Sequence, residues 1–370
     1  MRGHEVRLVD VVASKANNFD VLRLGAALAV LFIHCFPLTG TAVPGLSGLS
    51  APLEQGVPVF FAISGFLIAR SWLSEPTAST YAAKRALRLL PALAVAALIT
   101  SFVIGPIFSS LPLLTYLTDP TPYIYALRCS VLIPFQGTLP GVFADNPYPN
   151  AVNGSLWTLP IEAMAYAIIG VLGMLGLMLR RWGPAAAFLI VLLLASPIVN
   201  LDGLISVNTA NAAGEVGAGR IVTLFAIFLG GSLLYAYREL IVLNWGIAVV
   251  AAGFWYLTSG SEWTGVISAL TIPYVVLIGA YRTPSSWRRL TRRGDVSYGL
   301  YINAFPIQQA IAAALPGVNA AAMFLIAAPL SYLAGFASWK LIERPALALK
   351  SRLPRKPLQQ LSPTEAGEVA

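Results

Sequence analysis

The chain has 370 residues, of which 57% are hydrophobic and 11% are charged. Soluble globular proteins carry about 25% charged residues, so this chain cannot cover a water-facing surface with polar groups. Its mean hydropathy is +0.74, and its apolar blocks have the length of about 20 residues that crosses a bilayer as a helix. A soluble enzyme, a disordered protein and a disulfide-rich secreted domain are excluded. The composition predicts an all-α, polytopic bundle whose solvent is the lipid bilayer.

The charge and the cysteines exclude further classes of function. A net charge of +8 would suggest nucleic acid as a partner of a soluble protein, but in a membrane protein cytoplasmic loops concentrate Lys and Arg. We therefore predict no nucleic-acid partner. Two cysteines, Cys35 and Cys129, provide neither a disulfide framework nor a thiolate metal cluster, so no metal site is predicted.

The apolar blocks predict about ten transmembrane helices. Several contain proline, which membrane helices tolerate when neighbouring groups satisfy the freed backbone atoms. The predicted spans are Asp20–Leu38, Leu53–Leu73, Leu90–Phe108, Leu156–Leu179, Ala185–Asn200, Ile221–Tyr237, Leu240–Leu257, Trp263–Ala280, Ser297–Leu315 and Ala321–Ile342.

The loop charges predict the orientation of these spans. Of 24 Lys and Arg residues, Arg128 and Arg220 are the two that fall on or near one side of the predicted bundle. By the positive-inside rule the other side is cytoplasmic, and both termini lie there. We divide the chain into a cytoplasmic N-terminal tail (1–18), a transmembrane domain (19–345) and a cytoplasmic, disordered C-terminal tail (346–370). The longest external loop, Ser109–Gly154, has the length of a lid or binding segment.

The first predicted span carries ionisable residues, which are expensive inside a membrane and are functional candidates by default. Asp20 and Arg23 lie at its cytoplasmic end, and His34 lies deep within it. Arg23 and His34 are about three helical turns, roughly 16 Å, apart on one face. This polar stripe is expected to face the bundle interior. A core histidine bonded to a neighbouring helix is the alternative interpretation of His34.

Glu162 lies near the outer end of the fourth predicted span, roughly 9 Å below the boundary and at a depth similar to that of His34. A histidine with a carboxylate partner can take a proton from a hydroxyl group. The sequence does not establish that the two side chains face each other. A carboxylate that only packs between helices remains the alternative.

Arg85 and Arg88 lie in the segment between the second and third predicted spans. They are three residues apart, so on a helix they project from one face towards the cytosol. Paired arginines suit bidentate binding of phosphate. The alternative is that they only anchor the topology.

Five sequence blocks resemble the membrane-bound acyltransferase family 3, the integral-membrane O-acyltransferases that act on bacterial cell-surface polysaccharides. The first block joins Arg23 to His34 across ten residues and follows Phe19 and Asp20. The others are GVPVFFAISGFLI from Gly56, RALRLLPAL from Arg85, SLWTLPIEAMAY from Ser155 and SWKLIERP from Ser338. Their order along the chain makes the resemblance specific.

The resemblance implies an enzyme of the bacterial cytoplasmic membrane that moves an acyl group, usually acetyl, from acyl-CoA to a sugar hydroxyl. Acyl-CoA would be a co-substrate, with no bound cofactor, and the acceptor would be a polysaccharide or its lipid-linked precursor. His34 would be the general base and Glu162 would orient it or carry the proton. Arg85 and Arg88 would pair with the CoA phosphates, and Arg23 would serve the donor path or pair with Asp20.

The ninth predicted span departs from the family pattern. Many relatives have a histidine where this chain has Ala304, so that second histidine has no role here. The remaining candidates to line a cavity are Ser155, Trp157, Tyr298 and Tyr301, although helix packing explains the two tyrosines equally well.

Two other functions fit parts of the pattern. The acceptor could be a small molecule such as a macrolide rather than a glycan. A non-catalytic transporter or flippase of lipid-linked sugars would also place polar residues in spans and a long loop outside. A flippase has no need of CoA, so saturable binding of acetyl-CoA discriminates between the two classes.

Overall fold

The structure is a computed structural model that describes residues 6–13, 16–43, 50–133, 137–199, 201 and 217–353. Over these ranges the regular structure is helical, and the β-structure is limited to two isolated bridges, Arg7 with Val242 and Ser109 with Val142. The all-α prediction is confirmed for this part of the chain. Asn200 at the end of the fifth predicted span and the predicted tail beyond Leu353 lie outside it.

The helices follow the apolar blocks of the sequence. The α-helices are α1 (Leu8–Val12), α2 (Phe19–Leu38), α3 (Ser50–Leu53), α4 (Gly56–Ser74), α5 (Ala78–Ile99), α6 (Gly105–Phe108), α7 (Leu113–Thr118), α8 (Thr121–Ser130), α9 (Thr158–Met174), α10 (Gly183–Leu194), α11 (Ala218–Ala236), α12 (Trp245–Thr258), α13 (Thr264–Arg282), α14 (Ser297–Ala314), α15 (Ala320–Ser338) and α16 (Arg344–Ala348). Two π-helical segments, Thr100–Ile104 and Trp339–Glu343, and two 3₁₀ segments, Ser285–Thr291 and Leu349–Arg352, complete the regular structure.

Each of the ten predicted spans overlaps a helix, and in the described residues six helices are long and apolar enough to cross a membrane. Three others, α9, α10 and α12, are apolar but have 17, 12 and 14 residues. A straight crossing of the hydrocarbon core needs about 20 residues. The protein is therefore a multi-pass membrane protein, and the count of ten spans stays a prediction.

Two long helices extend through π-helical turns. α5 continues through Thr100–Ile104 into α6, which makes an uninterrupted helix of 31 residues from Ala78 to Phe108. The helix that begins at Ala320 continues in the same way to Arg352. Two boundaries differ from expectation as a result. Arg85 and Arg88 are helical rather than in a loop, and residues 346–352, which we assigned to the tail, are helical.

Segments predicted to be cytoplasmic meet at one end of the bundle. The N–H of Leu8 donates to the Ile241 carbonyl at 2.8 Å, which joins the N-terminal segment to the α11–α12 loop. The Asn18 amide donates to the Thr283 hydroxyl at 2.6 Å, beyond the end of α13. These contacts place the N-terminal segment and two predicted cytoplasmic loops on the same side, as the charge pattern requires. Which side faces the cytosol stays a prediction.

The segment Ser109–Gly154, which we predicted to be external, is more ordered in its described residues than its sequence suggests. It contains α7 and α8, and Tyr116 is fully buried with its hydroxyl donating to the Ser101 carbonyl at 2.7 Å. Buried amides tie its second half to α14: Asn146 bonds the Gln309 side chain at 2.7 Å, and Asn153 donates to the Ile302 carbonyl at 2.8 Å. The segment is thereby packed onto the bundle.

Candidate active site

A cavity of about 410 Å³ opens among the helix ends that carry the predicted cytoplasmic charges. We call it the arginine cavity. Its volume lies in the range of about 300–1,000 Å³ that is typical of small-molecule sites. Its polar lining consists of Asp20, Arg23, Ser64, Arg85, Arg88, Thr158, Glu162, Tyr166, Asp295, Ser297, Tyr298, Tyr301 and Lys350.

Arg88 is bound by two buried carboxylates. Its guanidinium lies 2.5 Å from an Asp295 oxygen and 3.3 Å from a Glu343 oxygen. Glu343 stands on the π-helical segment Trp339–Glu343 and also accepts from the Ser338 hydroxyl at 3.0 Å. These ion pairs join α5 to the residues before α14 and to the last long helix. Removal of Arg88 would leave buried carboxylates without their partner, which is costly.

Arg23 belongs to the same cluster. It lies 3.4 Å from the Asp295 carboxylate and 3.7 Å from that of Asp20. Burial raises the pKa of Asp295, but Arg88, Arg23 and the hydrogen bonds from Ser297 outweigh it and hold that pKa at about 2. A carboxyl with a lowered pKa contributes stability that is present above its unfolded value and is lost as the pH falls through about 2. The Asp295 carboxylate therefore stays ionised at physiological pH.

Two cations of the arginine cavity have no carboxylate partner among the described residues: Arg85 and Lys350. The Arg85 Nε is buried and makes no hydrogen bond within this part of the chain. A buried unsatisfied donor is costly unless a ligand completes it. Of the two arginines predicted to bind phosphate, Arg85 is therefore available to an anion, whereas Arg88 is neutralised by protein carboxylates.

Glu162 also lines the arginine cavity. Its Oε1 accepts from the Ser64 hydroxyl at 2.6 Å and from the Tyr166 hydroxyl. Ser64 stands on α4, while Tyr166 is one helical turn after Glu162 on α9. The carboxylate is thus held by two hydroxyl donors between α4 and α9.

A second cavity, of about 230 Å³, contains His34, and we call it the histidine cavity. It is lined by Val30, Ile33, His34, Leu53, Glu54, Val57, Ser155, Trp157, Arg220 and Tyr301. The His34 Nδ1 is buried without a hydrogen-bond partner in the described ranges, and the imidazole meets the Phe305 ring edge-on at 5.3 Å between centroids. An imidazole nitrogen with no protein partner is available to a ligand hydroxyl.

The structure does not bring His34 and Glu162 together. His34 lines the histidine cavity and Glu162 the arginine cavity, and each hydrogen bond of Glu162 goes to another residue. Similar depth along two helices did not fix the faces on which they lie. The expectation that Glu162 orients the imidazole is therefore not supported by the geometry.

The two cavities share two lining residues, Val57 and Tyr301. Tyr301 is 6% exposed, and its hydroxyl donates to the Ser155 carbonyl at 2.9 Å and lies 2.8 Å from the Thr158 hydroxyl. Ser155 and Thr158 line opposite cavities. The space beside the imidazole is therefore separated from the arginine cavity by a wall one side chain thick.

The other predicted cavity residues also lie at these two cavities. Trp157 lines the histidine cavity, where the Arg220 guanidinium lies over its ring at 5.4 Å from the centroid. Tyr298 lines the arginine cavity, with its hydroxyl donating to the Leu89 carbonyl at 2.8 Å. Ala304 is buried in α14, immediately before the phenylalanine that meets His34.

Sequence reasoning missed four residues of the site: Asp295, Glu343, Lys350 and Arg220. Each had a signal. Asp295 and Glu343 are acidic residues beside arginines in otherwise basic segments, and Arg220 is one of the two cations on the sparsely charged side. Lys350 was assigned to a disordered tail, but it lies in an ordered 3₁₀ segment. The described residues contain no group of three or more His, Cys, Asp or Glu that could hold a metal ion.

A family model described as "Acyltransferase domain" matches residues 17–340, which include the polar lining of both cavities except Lys350. The chain belongs to this acyltransferase family. It is similar to a protein of Shigella phage Sf6 named O-acetyl transferase, with 30% identity over 91% of this chain and 98% of the relative. It is also similar to Nodulation protein 10 of Rhizobium leguminosarum bv. viciae, with 30% identity over 91% of this chain and 95% of the relative. No solved structure shows significant similarity to the chain.

Proposed function

We propose that this acyltransferase moves an acyl group, preferentially acetyl, from acyl-CoA to a hydroxyl of a sugar in an envelope polysaccharide or its lipid-linked precursor. The observation that carries the proposal is the arrangement of the two cavities. One presents two cations without carboxylate partners and the other an unpaired imidazole, and a single wall separates them. Anion binding and proton abstraction are the two capacities that acyl transfer from an anionic thioester to a hydroxyl needs.

The donor would enter the arginine cavity from the cytosol. Arg85 and Lys350 would pair with its phosphates, because their charges are not neutralised by the described carboxylates. The cluster of Arg23, Arg88 and Asp295 would shape the cavity rather than bind the anion. Glu162, held by Ser64 and Tyr166, would be a polar contact for the amide-bearing arm of the donor.

The acceptor would lie in the histidine cavity. Trp157 offers an aromatic face of the kind on which sugar rings pack, and His34 offers a base. The acceptor oxygen would attack the thioester carbonyl carbon while the imidazole takes the hydroxyl proton. The carbon–sulfur bond would then break, and the imidazolium would return the proton to the departing CoA thiolate. The products are an ester and free CoA. Arg220, over Trp157, would favour negative charge on the reacting carbonyl oxygen.

The name of the phage relative, O-acetyl transferase, supports oxygen as the accepting atom and acetyl as the transferred group. Acylation of a small-molecule hydroxyl would use the same machinery, and the acceptor supplied in the assay separates the two. A flippase of lipid-linked sugars would leave the two unpaired cations without a purpose.

The proposal is tested by acyl transfer in membranes that contain the protein. Labelled acetyl-CoA is supplied together with bacterial lipid-linked oligosaccharide. The label in the lipid fraction is measured before and after treatment with mild alkali, which cleaves esters. We expect alkali-labile label that depends on His34 and on Arg85. Binding of acetyl-CoA to the purified protein is measured in parallel. If the protein neither binds acetyl-CoA nor transfers label, a flippase explains the structure better than an acyltransferase.

A further inference from the structure

The wall between the two cavities consists of one fixed and one compact side chain. Tyr301 is held by its hydrogen bonds to Ser155 and Thr158, and its ring meets that of Phe60 at 5.6 Å between centroids. Val57 faces both cavities from the first turn of α4 and is half-buried. It carries no polar group, so only its volume decides what passes beside it.

The backbone that carries Val57 is packed closely against α2. Its neighbour Gly56 is buried against α2, where an added Cβ would lie 2.6 Å from a Val30 methyl group and 2.7 Å from the Ala26 carbonyl oxygen. Glycine permits this close approach of α4 and α2. This contact holds the first turn of α4 against α2, so the space between position 57 and Tyr301 depends on the side chain at position 57.

We propose that Val57 determines the length of the acyl group that the enzyme transfers, by limiting what reaches His34 from the arginine cavity. This inference rests on the proposed function. The nucleotide and the arm of the donor would stay in the arginine cavity, and only the thioester and its acyl group would extend past Val57 and Tyr301. Every added methylene of the acyl chain would then have to fit beside a branched side chain in a packed wall, where overfilling is costly.

The experiment compares acetyl-, propionyl- and butyryl-CoA as donors for the wild type, Val57→Ala and Val57→Ile in membranes. A single methylene in an apolar pocket changes kcat/KM by roughly 10- to 200-fold. We expect Val57→Ala to raise the ratio of propionyl to acetyl transfer by about tenfold or more. Val57→Ile, which adds one methylene to the wall, should lower that ratio, and it keeps the test available if the alanine variant folds poorly.

Two matched variants distinguish an effect of the wall from a general loosening of the helix or an enlarged cavity. Val59→Ala makes the same change on the same helix, outside the lining of both cavities. Ile33→Ala enlarges the histidine cavity at a position outside the shared wall. Both should keep the wild-type donor ratio. An equal shift of the ratio in Val57→Ala and Ile33→Ala would overturn the proposal, because cavity volume rather than the wall would set the chain length.

The outcome is distinguishable from failure of the proposed function. If the wild type transfers no acyl group from any of the three donors, the proposed acyl-CoA-dependent reaction is refuted. If the wild type transfers acetyl and neither substitution at position 57 changes the donor ratio, the reaction stands and the role of Val57 is refuted.

Discussion

At the scale of single residues, His34 and Arg85 stand out because each lines a cavity and has a buried nitrogen that no described group satisfies. Most buried polar groups in proteins are hydrogen-bonded, so such exceptions are expected where a ligand binds. The two residues lie in different cavities, on the two sides of the Val57–Tyr301 wall. Their substitution should therefore affect different kinetic constants.

Substitution of His34 should abolish chemistry without loss of the protein. A general base contributes about 10²- to 10⁴-fold to rate, so His34→Ala should lose activity by about that factor. His34→Gln keeps polarity and approximate size but cannot take and return a proton, and it should be nearly as inactive. Acetyl transfer normalised to the amount of folded protein measures the effect.

The matched control for this prediction is Glu162→Gln. A glutamine carbonyl can still accept from Ser64 and Tyr166, and Glu162 does not contact His34, so this variant should retain far more activity than His34→Gln. Full activity in His34→Gln would eliminate the general-base mechanism. A Glu162→Gln variant as inactive as His34→Gln would show that the carboxylate takes part in proton transfer.

Arg85 and Arg88 should separate in their effects, although they share one helix face. Arg85→Ala should raise KM for acyl-CoA by about tenfold to a hundredfold, which corresponds to the loss of one charged hydrogen bond of about 1.5–3 kcal/mol. Its folded amount should stay normal. Arg88→Ala should instead destabilise the protein by about 3–5 kcal/mol, since it leaves the Asp295 and Glu343 carboxylates buried without their partner.

Thermal unfolding in detergent, run beside donor titrations, checks both variants. Lys at each position is the matched control: Arg88→Lys keeps the charge and should recover part of the stability, and Arg85→Lys should recover part of the donor affinity. A folded, stable Arg88→Ala protein with only a raised KM would contradict the assignment of Arg88 to the protein's own ion cluster.

At the scale of secondary-structure elements, α4 and α11 form the tightest contact described in the bundle. A Cβ added to Gly65 would lie 1.8 Å from the Phe228 carbonyl oxygen, and one added to Gly231 would lie 2.3 Å from that of Ala62. In membranes there is no hydrophobic driving force that brings helices together, because lipid tails are as apolar as the side chains. Small residues that let helix backbones approach closely are therefore common at helix contacts. The contact fixes the helix that carries Val57 and Ser64.

Gly65→Ala should therefore separate α4 from α11 and lower the thermal stability, at a cost of about 1–3 kcal/mol or more. The matched control is Gly253→Ala in α12, where an added Cβ meets nothing within 4 Å. That change should be neutral or stabilising by about 0.5–1 kcal/mol, because alanine restricts the unfolded chain. Equal melting temperatures for the two variants would refute the close-contact argument.

At the scale of the whole molecule, the orientation in the membrane decides which cavity meets acyl-CoA. We expect a cysteine placed at the exposed Asp145 to react with an impermeant thiol reagent from outside, and one at the exposed Ser286 to react only after the membrane is opened. Both native cysteines are buried, so the background should be low. Labelling of position 145 from the cytosol alone would invert the topology and place the arginine cavity outside.

The sequence by itself determined the helical class, the helix positions and the distribution of charge. These are local properties: the predicted span Asp20–Leu38 and the observed α2, Phe19–Leu38, agree within one residue because a run of apolar residues in lipid has to satisfy its own backbone. The arginine and histidine motifs also identified residues that line the two cavities. Arg85 was assigned to the segment between two spans because we started the third span at Leu90. In the structure α5 begins at Ala78, so Pro91 lies inside the helix rather than at its start.

The tertiary structure alone decided which charges are free and which cavity each residue enters. Arg88 and Asp295 are 207 positions apart in the chain, and no local pattern reveals that they pair while Arg85, one turn away, does not. His34 and Glu162 were predicted to lie at similar depth, yet they line different cavities, on the two sides of the Val57–Tyr301 wall. Helix rotation is set by side-chain packing across the whole bundle, such as the approach of Gly65 to Phe228, and that packing depends on residues far apart in sequence.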